Sequence, residues 1–311
     1  MSVIIDKVQR TAYGNALKEI GEYDKRLVVL EADLGKSTMS AIFGEAFPER
    51  YFQMGIAEQN MASTAAGLAL TGKVAFINSF AVFSTGRAYD QLRQTISIAG
   101  LNVKVCGSSA GLSDYGDGST HQAIEDIAIM RAIPNMTVIC PVDAIETAKA
   151  VKAMVETDGP MYLRVNRNPV PIITKESDPF EIGKMSVLRE GTDAVVFATG
   201  IMVSMALESA ENLAKEGINV RVVNVSTIKP LDREQVMALA EGTKAIVTAE
   251  EHTLIGGLGS AIADAMRISG RKIEFVGIDD CFGTSARTYE ELLEYYGLTP
   301  AAISGAVKSL L

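Results

Sequence analysis

The sequence predicts an α/β fold: two consecutive doubly wound domains, each a mainly parallel sheet covered by helices on both faces. Three observations predict it. Short β-branched apolar runs alternate with longer amphipathic stretches along the whole chain. A break containing three prolines interrupts that alternation once, after which it restarts. The 311 residues are 48% hydrophobic and 22% charged, a balance that fits a globular chain of one large or two ordinary domains.

In the first half, Arg26–Glu31, Val74–Asn78, Asn102–Cys106, Thr137–Cys140 and Met161–Val165 read as buried strands. Between them, Lys7–Gly21, Glu58–Leu70, Thr85–Ala99, Ala123–Ala132 and Ala144–Thr157 carry helical spacing. Strands separated by helices imply parallel pairing, because a parallel neighbour needs a crossover. The stretch Asn166–Lys184 has little periodicity and reads as a linker. Beyond it, strands are expected at Asp193–Ala198, Asn219–Asn224, Lys244–Thr248 and Lys272–Val276. Helices are expected at Met202–Lys215, Asp232–Ala240, Gly259–Ile268 and Thr288–Tyr296. The expected division is 1–172, a linker at 173–184, and 185–311.

Charge and cysteine usage narrow the function. A net charge of −9 argues against a nucleic-acid surface, which needs clustered Lys and Arg. No apolar run approaches the roughly 20 residues of a membrane helix. Cys106, Cys140 and Cys281 are widely spaced without a CxxC pair, so no disulfide framework or metal site is expected and a reducing cytoplasm fits. With only two histidines, His121 and His252, imidazole chemistry has few candidates.

Two motifs look like nucleotide sites and fail on inspection. DLGKST (Asp33–Thr38) ends like a P-loop, but the first glycine of that motif would fall at Leu30. It reads as a turn at the carboxyl end of a strand, where Asp33 and Ser37 can face a ligand crevice. IGGLGSA (Ile255–Ala261) lacks the third glycine of a dinucleotide fingerprint and reads as a helix start packed closely on a sheet.

Three blocks carry chemistry. In YFQMGIAEQNMAS (Tyr51–Ser63), Glu58 lies in the first turn of an apolar helix. That position suits an acid electrostatically, and the apolar flanks favour a partly desolvated carboxyl able to hydrogen-bond a ring nitrogen. In FINSFAVFSTGRAYDQ (Phe76–Gln91), Phe76, Phe80 and Phe83 gather where a strand gives way to a helix, either as core or as a slot for a flat heterocycle. In SDYGDGSTHQ (Ser113–Gln122), Asp117 and His121 share one glycine-flanked loop, which favours a site over a structural turn.

GIAEQNM, the aromatic block with RAYDQ, and DGSTHQ followed by RAIPN, in that order, resemble the pyrimidine-binding domain of transketolases. TDAVVFATG, AEEH, GGLGSA and DDCFGTSA resemble the transketolase C-terminal domain, so the likeness covers nearly the whole chain. The resemblance implies thiamine diphosphate, with its pyrimidine end bound here. It implies that Glu58 hydrogen-bonds N1′ and favours the tautomer whose 4′-nitrogen takes the thiazolium C2 proton. It implies that Phe80 and Phe83, with Phe76 less directly matched, wall the pyrimidine, and that Asp33 lies near the thiazolium. Asp117 and His121 then contact the substrate, with His121 also in a catalytic position. Arg10, Ser37 and Arg167 fall where the family holds sugar phosphates, and Arg forks pair bidentately with phosphate oxygens.

Two departures accompany the likeness. Family members often place a phosphate-binding histidine where this chain has Ser109, which brings a hydroxyl and no charge. Full-length transketolases also begin with a domain that holds the diphosphate and Mg²⁺ through a GDG…N pattern. The single GDG here belongs to the substrate loop. The expectation is therefore a split enzyme. A separate N-terminal subunit would carry the diphosphate and Mg²⁺ in an α₂β₂ heterotetramer, and this chain alone would be inactive. Competing readings are a deoxyxylulose-phosphate synthase-like or 2-oxo-acid dehydrogenase β-like subunit, a non-catalytic scaffold subunit and a nucleotide-binding protein. His252 reads as interfacial.

Overall fold

A computed structural model describes residues 8–311; Lys7, the expected first helical residue, lies outside them. The first half contains α1 (Gln9–Tyr23), β1 (Leu27–Glu31), α2 (Gly35–Thr38), α3 (Ala41–Ala46), β2 (Tyr51–Gln53), α4 (Glu58–Leu70), β3 (Val74–Phe80), α5 (Tyr89–Gln91), β4 (Val103–Ser108), α6 (Asp126–Ala132), β5 (Thr137–Ile139), α7 (Ala144–Glu156) and β6 (Met161–Arg164). The second half contains β7 (Ser186–Arg189), β8 (Ala194–Ala198), α8 (Met202–Ala214), β9 (Val220–Asn224), β10 (Thr227–Lys229), α9 (Arg233–Ala240), β11 (Ala245–Thr253), α10 (Leu258–Ala265), β12 (Glu274–Ile278), α11 (Tyr289–Tyr295) and α12 (Pro300–Leu310).

The strands form two sheets, of seven and five strands, in the orders β10-β5-β6-β4-β3-β1-β2 and β12-β11-β8-β9-β7. All pairings are parallel except one antiparallel edge strand in each sheet, β10 on β5 and β7 on β9. The fold class read from the sequence is therefore the one observed. Side-chain alternation explains the two covered faces. Leu27, Val29 and Phe76 point into one apolar cluster with Tyr13 and Leu17 of α1 and Val151 of α7. Val28, Leu30, Ala75 and Ile77 point into the other, with Met61 and Ala65 of α4. In the second sheet, Ala194, Val196 and Ala198 pack against α8 and α12, and Val195 and Phe197 against α9 and α10.

Several local expectations change. The helix expected over Thr85–Ala99 is broken: π-helical turns at Phe83–Arg87 and Leu92–Ser97 flank the short α5. The hydroxyls of Ser84 and Thr85 both bond the Ala81 carbonyl, which competes with regular helical bonding. The helix expected from Ala123 starts at Asp126, because Ala123 is bridged to Gly111. The sequence reading omitted α12, although Thr299 caps it through the Ala302 N–H and Pro300 opens it. It also omitted β10, which leaves the second half of the chain to close the edge of the first sheet, with Thr227 opposite Ile139.

Buried polar bonds reinforce this exchange. The Asp143 carboxylate caps α7 and also accepts from the backbone of Ile173 and Thr174, which pins the proline-rich stretch. Glu146, buried between the two halves, accepts from the Val142 N–H, Asn224 Nδ2 and Ser226 Oγ at 2.7, 2.9 and 2.6 Å. Burial pushes its pKa from 4.5 up to about 7 despite those donors. The folded state therefore holds the extra proton between pH 4.5 and about 7, and the group's stabilising contribution is lost as pH rises through that window. In Glu146→Gln that loss is absent. Measured by thermal unfolding, the stability of the variant relative to the native chain should climb from pH 4.5 to 7 by up to ~3 kcal/mol. A pH-independent difference would refute this account of the seam.

Candidate active site

The carboxyl ends of β1, β3, β4 and β6 lie side by side in the first sheet, the edge where open α/β folds collect their ligands. Each strand delivers part of the site. Beyond β1, the turn carrying Asp33 and Ser37 is organised from below by Glu31, whose carboxylate is fully buried. One Glu31 oxygen accepts from the Ala32 and Leu34 N–H groups, the other from Thr38 Oγ1 at 2.8 Å and Ser40 Oγ at 2.5 Å. Burial raises Glu31 from 4.5 to about 7. Asp33 is exposed in a left-handed conformation (φ 63°), its N–H on Gln53 Oε1. The Ser37 carbonyl accepts from Arg10 Nη1 at 2.8 Å, so Arg10 and Ser37 are together. The P-loop-like string is thus a short helical turn held by a carboxylate.

Glu58 opens α4 and is 1% exposed. Both its oxygens accept from Arg87 Nη1 at 2.8 Å, and the Arg87 guanidinium lies 4.7 Å above the Phe83 ring. Phe80, at the end of β3, stacks on Phe83 with centroids 6.2 Å apart and planes 16° from parallel. His121 meets both rings edge-on, at 6.3 and 5.3 Å, with Nδ1 2.9 Å from Thr120 Oγ1. Acid, aromatic pair and histidine therefore form one locus. Phe76 does not join it: it is fully buried lower on β3, packed on Tyr13 at 6.3 Å. Its place on the same strand face four residues earlier explains why the cluster of phenylalanines looked continuous.

A second group lies beside Phe80. Arg167 stands 6.0 Å above that ring and donates from Nη1 to Asp114 Oδ2 at 2.7 Å. Asp117 is exposed next to Asp114, and the charges of Arg167 and Asp114 both act on Arg10. Ser109, just past β4, is fully buried at φ 54°, and its hydroxyl has no partner among the described residues.

The loop carrying Asp117 and His121 is braced by the second half of the chain. Gln122 Nε2 donates to the Thr284 carbonyl, the Ala286 N–H bonds the Tyr115 carbonyl, and Gly118 sits against Ser285 without room for a Cβ. The Leu112 N–H bonds Glu251, which also takes the Tyr289 hydroxyl. His252 is completely buried in the same seam. Its Nε2 accepts from the Ala128 N–H, so the ring proton sits on Nδ1, which donates to the Thr253 carbonyl. It is interfacial between the two halves. The glycines of IGGLGSA allow the close packing expected of them: Glu250 caps α10 through the Leu258 and Gly259 N–H groups, and Gly257 lies tight against that carboxylate. The anion at this helix start is the protein's own.

Residues 7–172 match the family model described as the transketolase pyrimidine binding domain, and residues 183–303 the transketolase C-terminal domain. The chain belongs to the transketolase family. Its function is of the transketolase type, a transferase whose family implies thiamine diphosphate. A protein from Methanocaldococcus jannaschii named "Putative transketolase C-terminal section" is 44% identical over 96% of this chain and 94% of its own length. A 6-deoxy-6-sulfo-D-fructose transketolase subunit from a Clostridium species is 44% identical over 94% and 91%. A solved structure of a split gene transketolase, an inactive β4 tetramer, is 46% identical, covers 98% of both chains and superposes with a TM-score of 0.90.

Glu31, Arg87 and Asp114 escaped the sequence reading. Glu31 had one local signal, an acid ending an apolar strand; the other two sit inside motifs whose better-known neighbours drew the assignment. If Glu31 holds the 32–40 turn, Glu31→Ala should speed hydrogen exchange at the Ala32 and Leu34 amides by at least about tenfold, the loss of ~1.4 kcal/mol of local protection. Unchanged exchange by mass spectrometry would show that the turn holds itself.

Proposed function

We propose that this chain is the pyrimidine-side subunit of a two-polypeptide transketolase, transferring a two-carbon ketol unit between sugars, sugar phosphates among them. The observation that carries this reading is the buried Glu58 carboxylate beside the Phe80–Phe83 pair. A flat heterocycle with a ring nitrogen fits that combination: Arg87, now on Glu58, has a side chain 45% exposed and is free to yield its place to such a nitrogen. When bound, the cofactor supplies the nucleophilic carbon and the electron sink for the transfer.

The chain's own residues have separable tasks in this proposal. Glu58 holds a proton on N1′ of the pyrimidine, and low exposure keeps water from competing for that hydrogen bond. Phe80 and Phe83 fix the ring plane, while Asp33 borders the thiazolium side. Asp117 receives a ketose hydroxyl, and His121, its ring braced by both phenylalanines, donates to or accepts from the oxygens at the reacting carbon. Arg10, Ser37 and Arg167 meet the far end of the sugar. The relative named for 6-deoxy-6-sulfo-D-fructose supports a ketose class wider than sugar phosphates.

The match to a split gene transketolase supports a partner N-terminal subunit. In our reading that subunit carries the diphosphate and Mg²⁺ in an α₂β₂ assembly in the cytoplasm. This chain contributes a pyrimidine-binding domain at 1–172, a linker at 173–184 and a C-terminal domain at 185–311.

Glu58→Ala tests the assignment. In the enzyme assembled with its diphosphate-binding subunit, kcat should fall by roughly 10²–10⁴ at saturating cofactor. Near-native turnover at all cofactor concentrations would overturn the role of Glu58.

A further inference from the structure

Four charged side chains interact around Arg167, which lies over Phe80. Arg167 donates to Asp114 at 2.7 Å, and the Asp114 side chain is 4% exposed. Arg10 is close enough to sense both: burial and the Arg167 charge depress its pKa, and Asp114 pushes it back up. Asp114 is raised by burial, held down by Arg167 and raised again by Asp117. Two cations therefore face two carboxylates, and with all four ionised the cluster carries no net charge. Among the described residues, the buried Ser109 hydroxyl and the Nε–H of Arg10 have no hydrogen-bond partner.

A phosphate monoester at neutral pH carries close to two negative charges and is best held by free guanidinium forks. Here Arg167 Nη1 is already engaged by a buried carboxylate, so a phosphate claims the full fork only in competition with it. A dianion that takes Arg167 strips Asp114 of its partner and leaves two like charges side by side, an arrangement that rejects ligands. A hydroxyl or a singly charged terminus meets a smaller penalty, because it does not require Arg167 to leave Asp114.

We propose that Asp114 is a specificity-determining residue that holds Arg167 and so biases the donor-end subsite away from phosphate dianions, towards ketoses with a neutral or singly charged terminus. This rests on the transketolase-type reading above and refines its substrate class.

The test uses the enzyme assembled with its diphosphate-binding subunit and cofactor. Fructose and fructose 6-phosphate are compared as donors to one common acceptor aldose, in the native enzyme, Asp114→Asn and Asp114→Glu. In Asp114→Asn, the KM for fructose 6-phosphate should fall roughly tenfold, while the KM for fructose and both kcat values stay within about threefold. Inorganic phosphate, as a competitive inhibitor against fructose, should bind roughly tenfold more tightly to the same variant. Asp114→Glu, which retains the charge, should stay close to the native ratio. An unchanged or lower preference for fructose 6-phosphate in Asp114→Asn overturns the inference, as does a Glu variant that behaves like the Asn variant. If the native assembly transfers no ketol unit from any ketose, the transketolase-type reading fails first and takes this inference with it. Turnover with an unaltered preference sinks the inference alone.

Discussion

Arg164 lies at the seam of the two halves, and the placement of the loop carrying Asp117 and His121 depends on it. Its side chain is 5% exposed, paired with Asp126 at 2.9 Å and with Glu251 at 3.6 Å, and it also donates to the Glu251 carbonyl. Asp126 takes the Tyr162 hydroxyl as well, and Glu251 takes Tyr289 and the Leu112 N–H. One cation thereby joins the end of β6, the start of α6, the end of β11 and the start of α11. Breaking such a buried pair by removing one partner typically costs about 3–5 kcal/mol, because the remaining charge stays buried and unsatisfied. The loop from Gly111 to Ala123 starts and ends inside this network, so Asp117 and His121 are oriented by both sheets.

The same logic explains why a second domain belongs to a site built almost entirely on the first. β10 closes the edge of the first sheet, and the loop following β12 lies along the loop carrying Asp117 and His121. The C-terminal half is therefore a brace for that loop. The loop carrying Asp117 and His121 is held by backbone bonds and buried charges in place of loop self-packing, which suits a site that must keep its geometry.

Sequence pattern and structure agree where the signal is local. The buried parallel strands read correctly because they are continuous apolar runs; Glu58, Phe80, Phe83 and His121 come together in the fold because each motif fixes a side chain near the end of a strand or the start of a helix. What stayed hidden is non-local. No spacing rule joins Glu58 to Arg87 or Asp114 to Arg167, since each pair forms only when separate strand ends meet. β10 is three residues long and pairs with a sheet from the other half, which local periodicity does not encode. Phe76 misled because strand period two places it on the same face as Phe80, and only depth in the sheet separates core from slot.

The central claim is that Glu58 serves a cofactor whose other end is held by a second polypeptide. Calorimetric titration of thiamine diphosphate with Mg²⁺ into this chain, into the diphosphate-binding subunit and into their mixture tests it most directly. The account predicts specific saturable binding by the mixture, lost or weakened when Glu58 is replaced by alanine, and none by this chain alone. Tight binding by the isolated chain, equal to that of the mixture, would contradict it.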